Sequence, residues 1–305
     1  MSPEHEPFDR LIRRLDPGSQ VLRVWELTGG VSAQVTALEV LLSHGRRQRL
    51  VVRRYGAADL VRAPHVAAHE FRLLQIVRSV GVPAPRPYYV DESGDIFPTP
   101  VTVIEFVEGQ AGLTPTDLGN VIDQTVDALT TIHSVDGSTA VDLSFLPRQE
   151  EVCAVELRRR LPPTGASPEA TRIRAALDAV WPLPQRNRAV LLHGDFWPGN
   201  TLWRDGRLVA VIDWEDAALG DPLADVANAR LELLWALGVE AMESFTERYR
   251  SRMGAVDFVD LPYWDLAAAL RPAVAMSAWG LDAHTARTMR DRLRWFVSEA
   301  LGRVG

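Results

Sequence analysis

The chain has no lysine: all 33 basic side chains are arginine, set against 40 acidic ones, for a formal net charge of −7. Any site that would use a compact ammonium must use a longer, planar guanidinium instead. Cysteine is almost missing too. Cys153 is the one thiol in 305 residues, so an internal disulfide is excluded and a reducing compartment is indicated. No uncharged run approaches the roughly 18 residues of a membrane span. No basic excess exists to suit nucleic acid as a partner. The opening Met1-Ser2-Pro3-Glu4-His5-Glu6 is acidic and polar, unlike a secretory leader. These absences point to a soluble, cytoplasmic protein. What is present excludes disorder, because 47% of the residues are hydrophobic.

The length suits two domains or one two-lobed body. Phe8, Leu11, Ile12 and Leu15 are spaced for a short amphipathic helix stopped at Asp16-Pro17-Gly18. Three β-rich runs follow, Val21 to Thr28, Ser32 to Leu42 and Leu50 to Tyr55. A helical pattern from His69 to Val80 ends at Gly81, and strands are expected near Pro87 to Asp91 and Pro100 to Val107. After Gly109 the texture becomes helical, with Leu118, Ile122, Val126, Leu129 and Ile132 in register, and later Val226, Leu233 and Leu237. One strand island interrupts it. Ala189 to Leu192 leads into a loop, and Arg204-Asp205-Gly206-Arg207 joins two apolar runs as a hairpin turn. The organisation expected is residues 1–104 as a small five-stranded lobe, 105–109 as a hinge and 110–305 as a larger helical lobe. A ligand site is expected between lobes.

The chemistry concentrates in His193-Gly194-Asp195-Phe196-Trp197-Pro198-Gly199-Asn200 and in Ile212-Asp213-Trp214-Glu215. Phosphoryl transfer asks a protein for a carboxylate that orients and deprotonates the attacking hydroxyl, and for oxygen ligands to Mg²⁺. A loop aspartate, an asparagine five positions later and an aspartate at the end of a nearby strand meet that need. A chance turn with a capping aspartate accounts for Asp195 alone. A metal hydrolase built on His193 and Asp195 lacks a second histidine cluster.

These two stretches resemble those of the aminoglycoside phosphotransferase family, and the order of strands and helices is similar along nearly the whole chain. The resemblance implies an α+β, protein-kinase-like, two-lobed fold with a five-stranded antiparallel N-terminal lobe and a mainly helical C-terminal lobe. It implies an ATP- and Mg²⁺-dependent kinase of a small hydroxylated molecule, with Asp195 as catalytic base and Asn200 and Asp213 as Mg²⁺ ligands. The acceptor is an antibiotic such as an aminoglycoside or macrolide, or a sugar or amino-alcohol metabolite.

By the same resemblance the first lobe holds the nucleotide. Gly29, Gly30 and Ser32 occupy the turn where phosphates are covered, since glycine lets backbone N–H groups approach closely. Arg53 takes the strand position where the kinase pattern has lysine, with Glu70 as its helix partner. Arg54 is expected on the opposite, solvated face. The backbone from Glu105 to Val107 is expected to meet the adenine. Asp221 is read as capping the helix begun by Pro222, Asp225 as tying that helix to the catalytic loop, and His193 as scaffold. Tyr263, Trp264, Asp265, Trp279 and Asp282 are candidates for the acceptor pocket, with Glu215 a weaker one. Arg53 in place of lysine opens a reading of another class, a nucleotide-binding pseudokinase acting through partners. The full set of Asp195, Asn200 and Asp213 opposes it.

Overall fold

The structure is a computed structural model that describes residues 5–27, 33–112, 117–137, 141–159 and 167–304. It divides into one unit of Met1–Gly109 with Val209–Glu215 and another of Gln110–Leu208 with Asp216–Gly305. The segment 209–215, expected with the helical half, belongs with the first unit.

In the first unit the elements are α1 (Glu6–Leu15), β1 (Gln20–Glu26), β2 (Ala33–Leu41), β3 (Arg47–Tyr55), α2 (Ala57–Arg62), α3 (Val66–Ser79), β4 (Pro87–Asp91) and β5 (Val101–Glu105). The strands form one antiparallel sheet in the order β1-β2-β3-β5-β4. β3 is central and sheds its side chains to alternate faces. Leu50 and Val52 join Phe8, Leu11 and Ile12 of α1 in one apolar cluster, while Tyr55 packs on Val66 and Ala67 at the start of α3. Each large side chain of α1 buried this way contributes about 1.5–3 kcal/mol of transfer free energy. Covering both faces leaves no solvated side on β3 from Leu50 onward. Arg54, expected in water, is half-buried with its guanidinium 5.6 Å from the Phe8 ring and 5.1 Å from the Phe97 ring. Alternation gives its face correctly, but α1 folds over that face.

In the second unit the elements are β6 (Gln110–Ala111), α4 (Leu118–His133), α5 (Gln149–Arg159), α6 (Pro168–Asp178), β7 (Val190–Leu192), β8 (Thr201–Arg204), β9 (Arg207–Val211, whose last three residues belong to the first unit), β10 (Ala218–Gly220), α7 (Leu223–Leu237), α8 (Val239–Arg252), α9 (Leu261–Ala275) and α10 (Ala283–Leu301). Its core gathers Ile173 and Leu177 of α6, Leu231 and Leu234 of α7, Leu266 and Leu270 of α9, and Leu293 and Phe296 of α10. β7 pairs antiparallel with β10, and β6 with β8. The turn from β8 to β9 has Asp205 at φ 52° and Gly206 at φ 73°, the left-handed pair that a two-residue hairpin requires. Gln124 of α4 clamps it, donating to the Gly206 carbonyl at 2.8 Å and accepting from the Leu208 N–H at 2.9 Å. Among the described residues no helix is long and apolar enough to cross a membrane.

Candidate active site

β7 delivers the chain to His193, whose side chain is fully buried. Its Nδ1 accepts the Asp195 N–H at 3.3 Å, so the ring is scaffold for the residue that follows. Gly194 turns there at φ +84°, and a Cβ would lie 2.0 Å from the Asp216 carbonyl oxygen. Only glycine serves in that position. A single 3₁₀ turn, Pro198–Asn200, then folds the chain back. Asn200 Nδ2 donates to the Asp195 carbonyl at 2.9 Å and to its Oδ2 at 3.0 Å. The amide nitrogen is thereby spent on Asp195, and the amide oxygen is turned away from it.

Helix α7 carries the floor of this loop. Asp225 accepts the His193 N–H at 2.7 Å and the Gly194 N–H at 2.9 Å. His133 Nε2 lies 3.2 Å from the same carboxylate, and its Nδ1 is 2.6 Å from the Tyr249 hydroxyl. Burial and then the Asp225 charge keep that phenol protonated. Burial by itself would raise the Asp225 carboxyl. The His133 hydrogen bond and charge outweigh it and hold the group below the usual carboxylate range. One turn on, Asn228 Nδ2 donates to the Phe196 carbonyl at 3.3 Å. A further turn on, burial and then the Asp195 charge push the Glu232 carboxyl up to about 8, opposed by Arg271.

Asn228 and Glu232 were missed in the sequence. Asp225, Asn228 and Glu232 stand three and four apart, a polar stripe on a mainly apolar helix, and that spacing was the available signal. Asp221 lies just before α7. It accepts the Leu223 N–H at 2.9 Å and is held by Asn187 at 3.1 and 3.2 Å.

The first unit holds a second cluster. Arg53, 7% exposed, sends Nη1 to Glu70 Oε1 at 2.5 Å and Nη2 to Asp213 Oδ1 at 2.9 Å. Glu215 Oε2 is 3.7 Å from Nη2. Tyr55 hydrogen-bonds Glu70 Oε2 through its hydroxyl. Glu70 is 4% exposed, so its charge is tolerable only because both donors answer it. Asp213 has φ 65°, a left-handed conformation that an aspartate adopts only sparingly. The Glu105 N–H is taken by the Arg86 carbonyl at 2.8 Å and the Phe106 N–H by the Arg49 carbonyl at 3.3 Å. Among the described residues the Val107 N–H makes no such bond.

Gly29, Gly30 and Ser32 lie outside the described residues. The acceptor candidates divide. Trp264 and Asp265 are core, 5% and 4% exposed, and Asp265 meets Arg230 in a bidentate pair at 3.0 Å. Tyr263 packs against the same apolar cluster. Asp282 is the N-cap of α10, accepting from His284 and Thr285. Trp279 stays 38% exposed, its ring edge-on to Trp235 at 6.1 Å.

Comparison with known proteins follows this geometry. The family model described as the phosphotransferase enzyme family (APH) matches residues 28–270. Mouse acyl-CoA dehydrogenase family member 10 is 28% identical over 222 residues, 68% of this chain and 20% of that protein. The chain spans about a fifth to a third of the length of the first such relatives. Among solved structures, macrolide 2′-phosphotransferase MphH from Brachybacterium faecium superposes with a TM-score of 0.64 at 20% identity, over 95% of this chain and 98% of that one. A thermostable mutant of aminoglycoside phosphotransferase APH(4)-Ia, in ternary complex with ADP and hygromycin B, gives 0.63 at 17% identity, over 95% and 97%. These structures share the kinase-like α+β fold with this chain.

Proposed function

Because the chain belongs to the phosphotransferase enzyme family, we propose that it transfers the γ-phosphoryl group of ATP to a hydroxyl of a small acceptor, with Mg²⁺. The observation that carries this reading is the Asp195–Asn200 pair. An asparagine five residues on is folded back so that it fixes one carboxylate oxygen of Asp195 at 3.0 Å. A carboxylate held in this way orients an attacking hydroxyl and accepts its proton as the new P–O bond forms and the bond to ADP breaks.

The donor set fits a hard cation. Asn200 offers its amide oxygen and Asp213 a carboxylate oxygen, and Mg²⁺ takes one or two such groups with phosphates and water. When bound, it neutralises charge on the transferring phosphates. Gly29, Gly30, Ser32 and the backbone of Glu105 and Val107 belong to the nucleotide side, and the Arg53–Glu70 pair stands beside Asp213. Nucleotide binding is supported by the ADP complex of the APH(4)-Ia mutant.

The relatives' names mark acceptors to test: a macrolide and an aminoglycoside. Sugars and amino alcohols complete the panel. Transfer of ³²P from labelled ATP identifies the acceptor. Asp195→Asn is expected to bind ADP as the parent does and to lose transfer. Transfer at the parental rate in that variant refutes the assignment of the base.

A further inference from the structure

A lysine in the β3 position ends in one nitrogen. Arg53 ends in a fork, and the two tips are spent on carboxylates from different elements. Nη1 reaches Glu70 of α3 at 2.5 Å, and Nη2 reaches Asp213, two residues beyond β9, at 2.9 Å. Tyr55 is two residues along β3 and therefore on the same face. Its hydroxyl takes the other Glu70 oxygen and lies 3.2 Å from Thr102 Oγ1. Thr102 is the residue opposite Arg53 in the β3–β5 register. Burial, and then the Glu70 charge, keep the Tyr55 phenol protonated, so it serves as donor. Glu70 is thus gripped at both oxygens by donors of one strand, and that fixed end leaves the second tip of the Arg53 fork pointing at Asp213. Among the described residues the third guanidinium nitrogen, Nε, is buried and has no hydrogen-bond partner. The backbone of Asp213 sits in a sparsely populated conformation, so what holds its side chain matters more than usual.

We infer that Arg53 and Tyr55 are positioning residues for Asp213: with Glu70 they form a rigid arm that sets the direction of the carboxylate receiving the divalent cation. This rests on the kinase reading given above, and it differs from a phosphate contact, because both terminal nitrogens of Arg53 are committed to carboxylates. Hydrogen-bond partners behind a ligating carboxylate commonly tune the metal, and their loss costs about 10–100-fold in affinity. Arg53→Lys keeps the charge and loses the fork. Tyr55→Phe loses one grip on Glu70 and keeps the ring.

The test uses the full chain with Mn²⁺ as the probe, bound metal being counted by electron paramagnetic resonance in the presence of ADP. ADP binding in EDTA is measured separately by calorimetry. Arg53→Lys is expected to weaken Mn²⁺ about 10-fold with metal-free ADP affinity unchanged. Tyr55→Phe is expected to shift Mn²⁺ affinity in the same direction by a smaller factor. If Arg53→Lys instead lowers metal-free ADP affinity and leaves Mn²⁺ affinity at the parental value, Arg53 is a phosphate contact and the inference falls while the kinase reading stands. Parental Mn²⁺ affinity in both variants has the same consequence. A parent chain that binds neither Mn²⁺ nor ADP overturns both readings together.

Discussion

Replacing Asp225 by asparagine tests whether one buried carboxylate holds the loop that carries Asp195. The group is 1% exposed and accepts three hydrogen bonds, from the His193 and Gly194 backbone at 2.7 and 2.9 Å and from His133 at 3.2 Å. Asparagine matches the shape but brings a donor to a place where every neighbour is a donor. At least one bond to a charged acceptor is lost, about 1.5–3 kcal/mol, and the others fall to the neutral strength of about 1 kcal/mol each. The sum is a loss of about 3–5 kcal/mol, or roughly 10 °C in Tm for a chain of this size. Urea unfolding at neutral pH gives the free energy, and an unchanged m-value shows that the change lies in stability. The same substitution should alter the acid limb. A carboxyl whose folded pKa is depressed contributes stability above its unfolded value, near 3.9, and loses it as pH falls through the folded value. Asp225→Asn should therefore flatten stability against pH below about pH 4. Because the loop carrying Asp195 hangs on these bonds, transfer at a temperature well below the new Tm should also fall. A loss under about 1 kcal/mol, with the acid limb intact, refutes the argument.

Two further outcomes are expected. Gly194→Ala forces a Cβ against the Asp216 carbonyl at a positive φ. It should cost at least about 1–2 kcal/mol and abolish transfer while ADP affinity survives, and wild-type transfer rates would contradict the loop geometry. Glu232, with its carboxyl raised to about 8, keeps in the folded state a proton that the unfolded chain releases near 4.5. Its contribution is thus fully present below the unfolded value and declines as pH rises to about 8. Glu232→Gln should remove that decline and stabilise the chain at pH 8 relative to the parent, and parallel unfolding curves for the two proteins across this range would count against a buried carboxyl.

The parts of the site that could be read in the sequence are those whose chemistry admits few side chains. Gly194, Asp195 and Asn200 stand in one short loop after β7, where few side chains suit the backbone turn and the polar contacts, and the structure brings the Asn200 amide onto Asp195. The Arg53–Glu70 pair was expected from the family resemblance, and the structure joins the two side chains at 2.5 Å. Packing decisions were hidden. Trp264 and Asp265 looked available for a ligand, yet α9 turns them inward onto Arg230 and the core. Arg54 looked solvated because nothing in β3 reveals that α1 covers it. α2 and α8 were not anticipated. α8 is mostly polar, with only Ala241, Met242, Phe245 and Tyr249 buried along one stripe. β10 has three residues, too few for alternation to register.

The left-handed backbone of Asp213 has a consequence in the genetic code. Glycine and asparagine are the residues that enter that conformation most readily. Each is a single nucleotide away from either aspartate codon. Neither restores the carboxylate that Arg53 grips, but both leave the turn unstrained. Drift at this codon therefore leads by one step to chains that keep the backbone and lose the charge. Lineages that have lost transfer while keeping the fold should carry Gly or Asn at position 213 more often than alanine, which fits the space and not the dihedral angle.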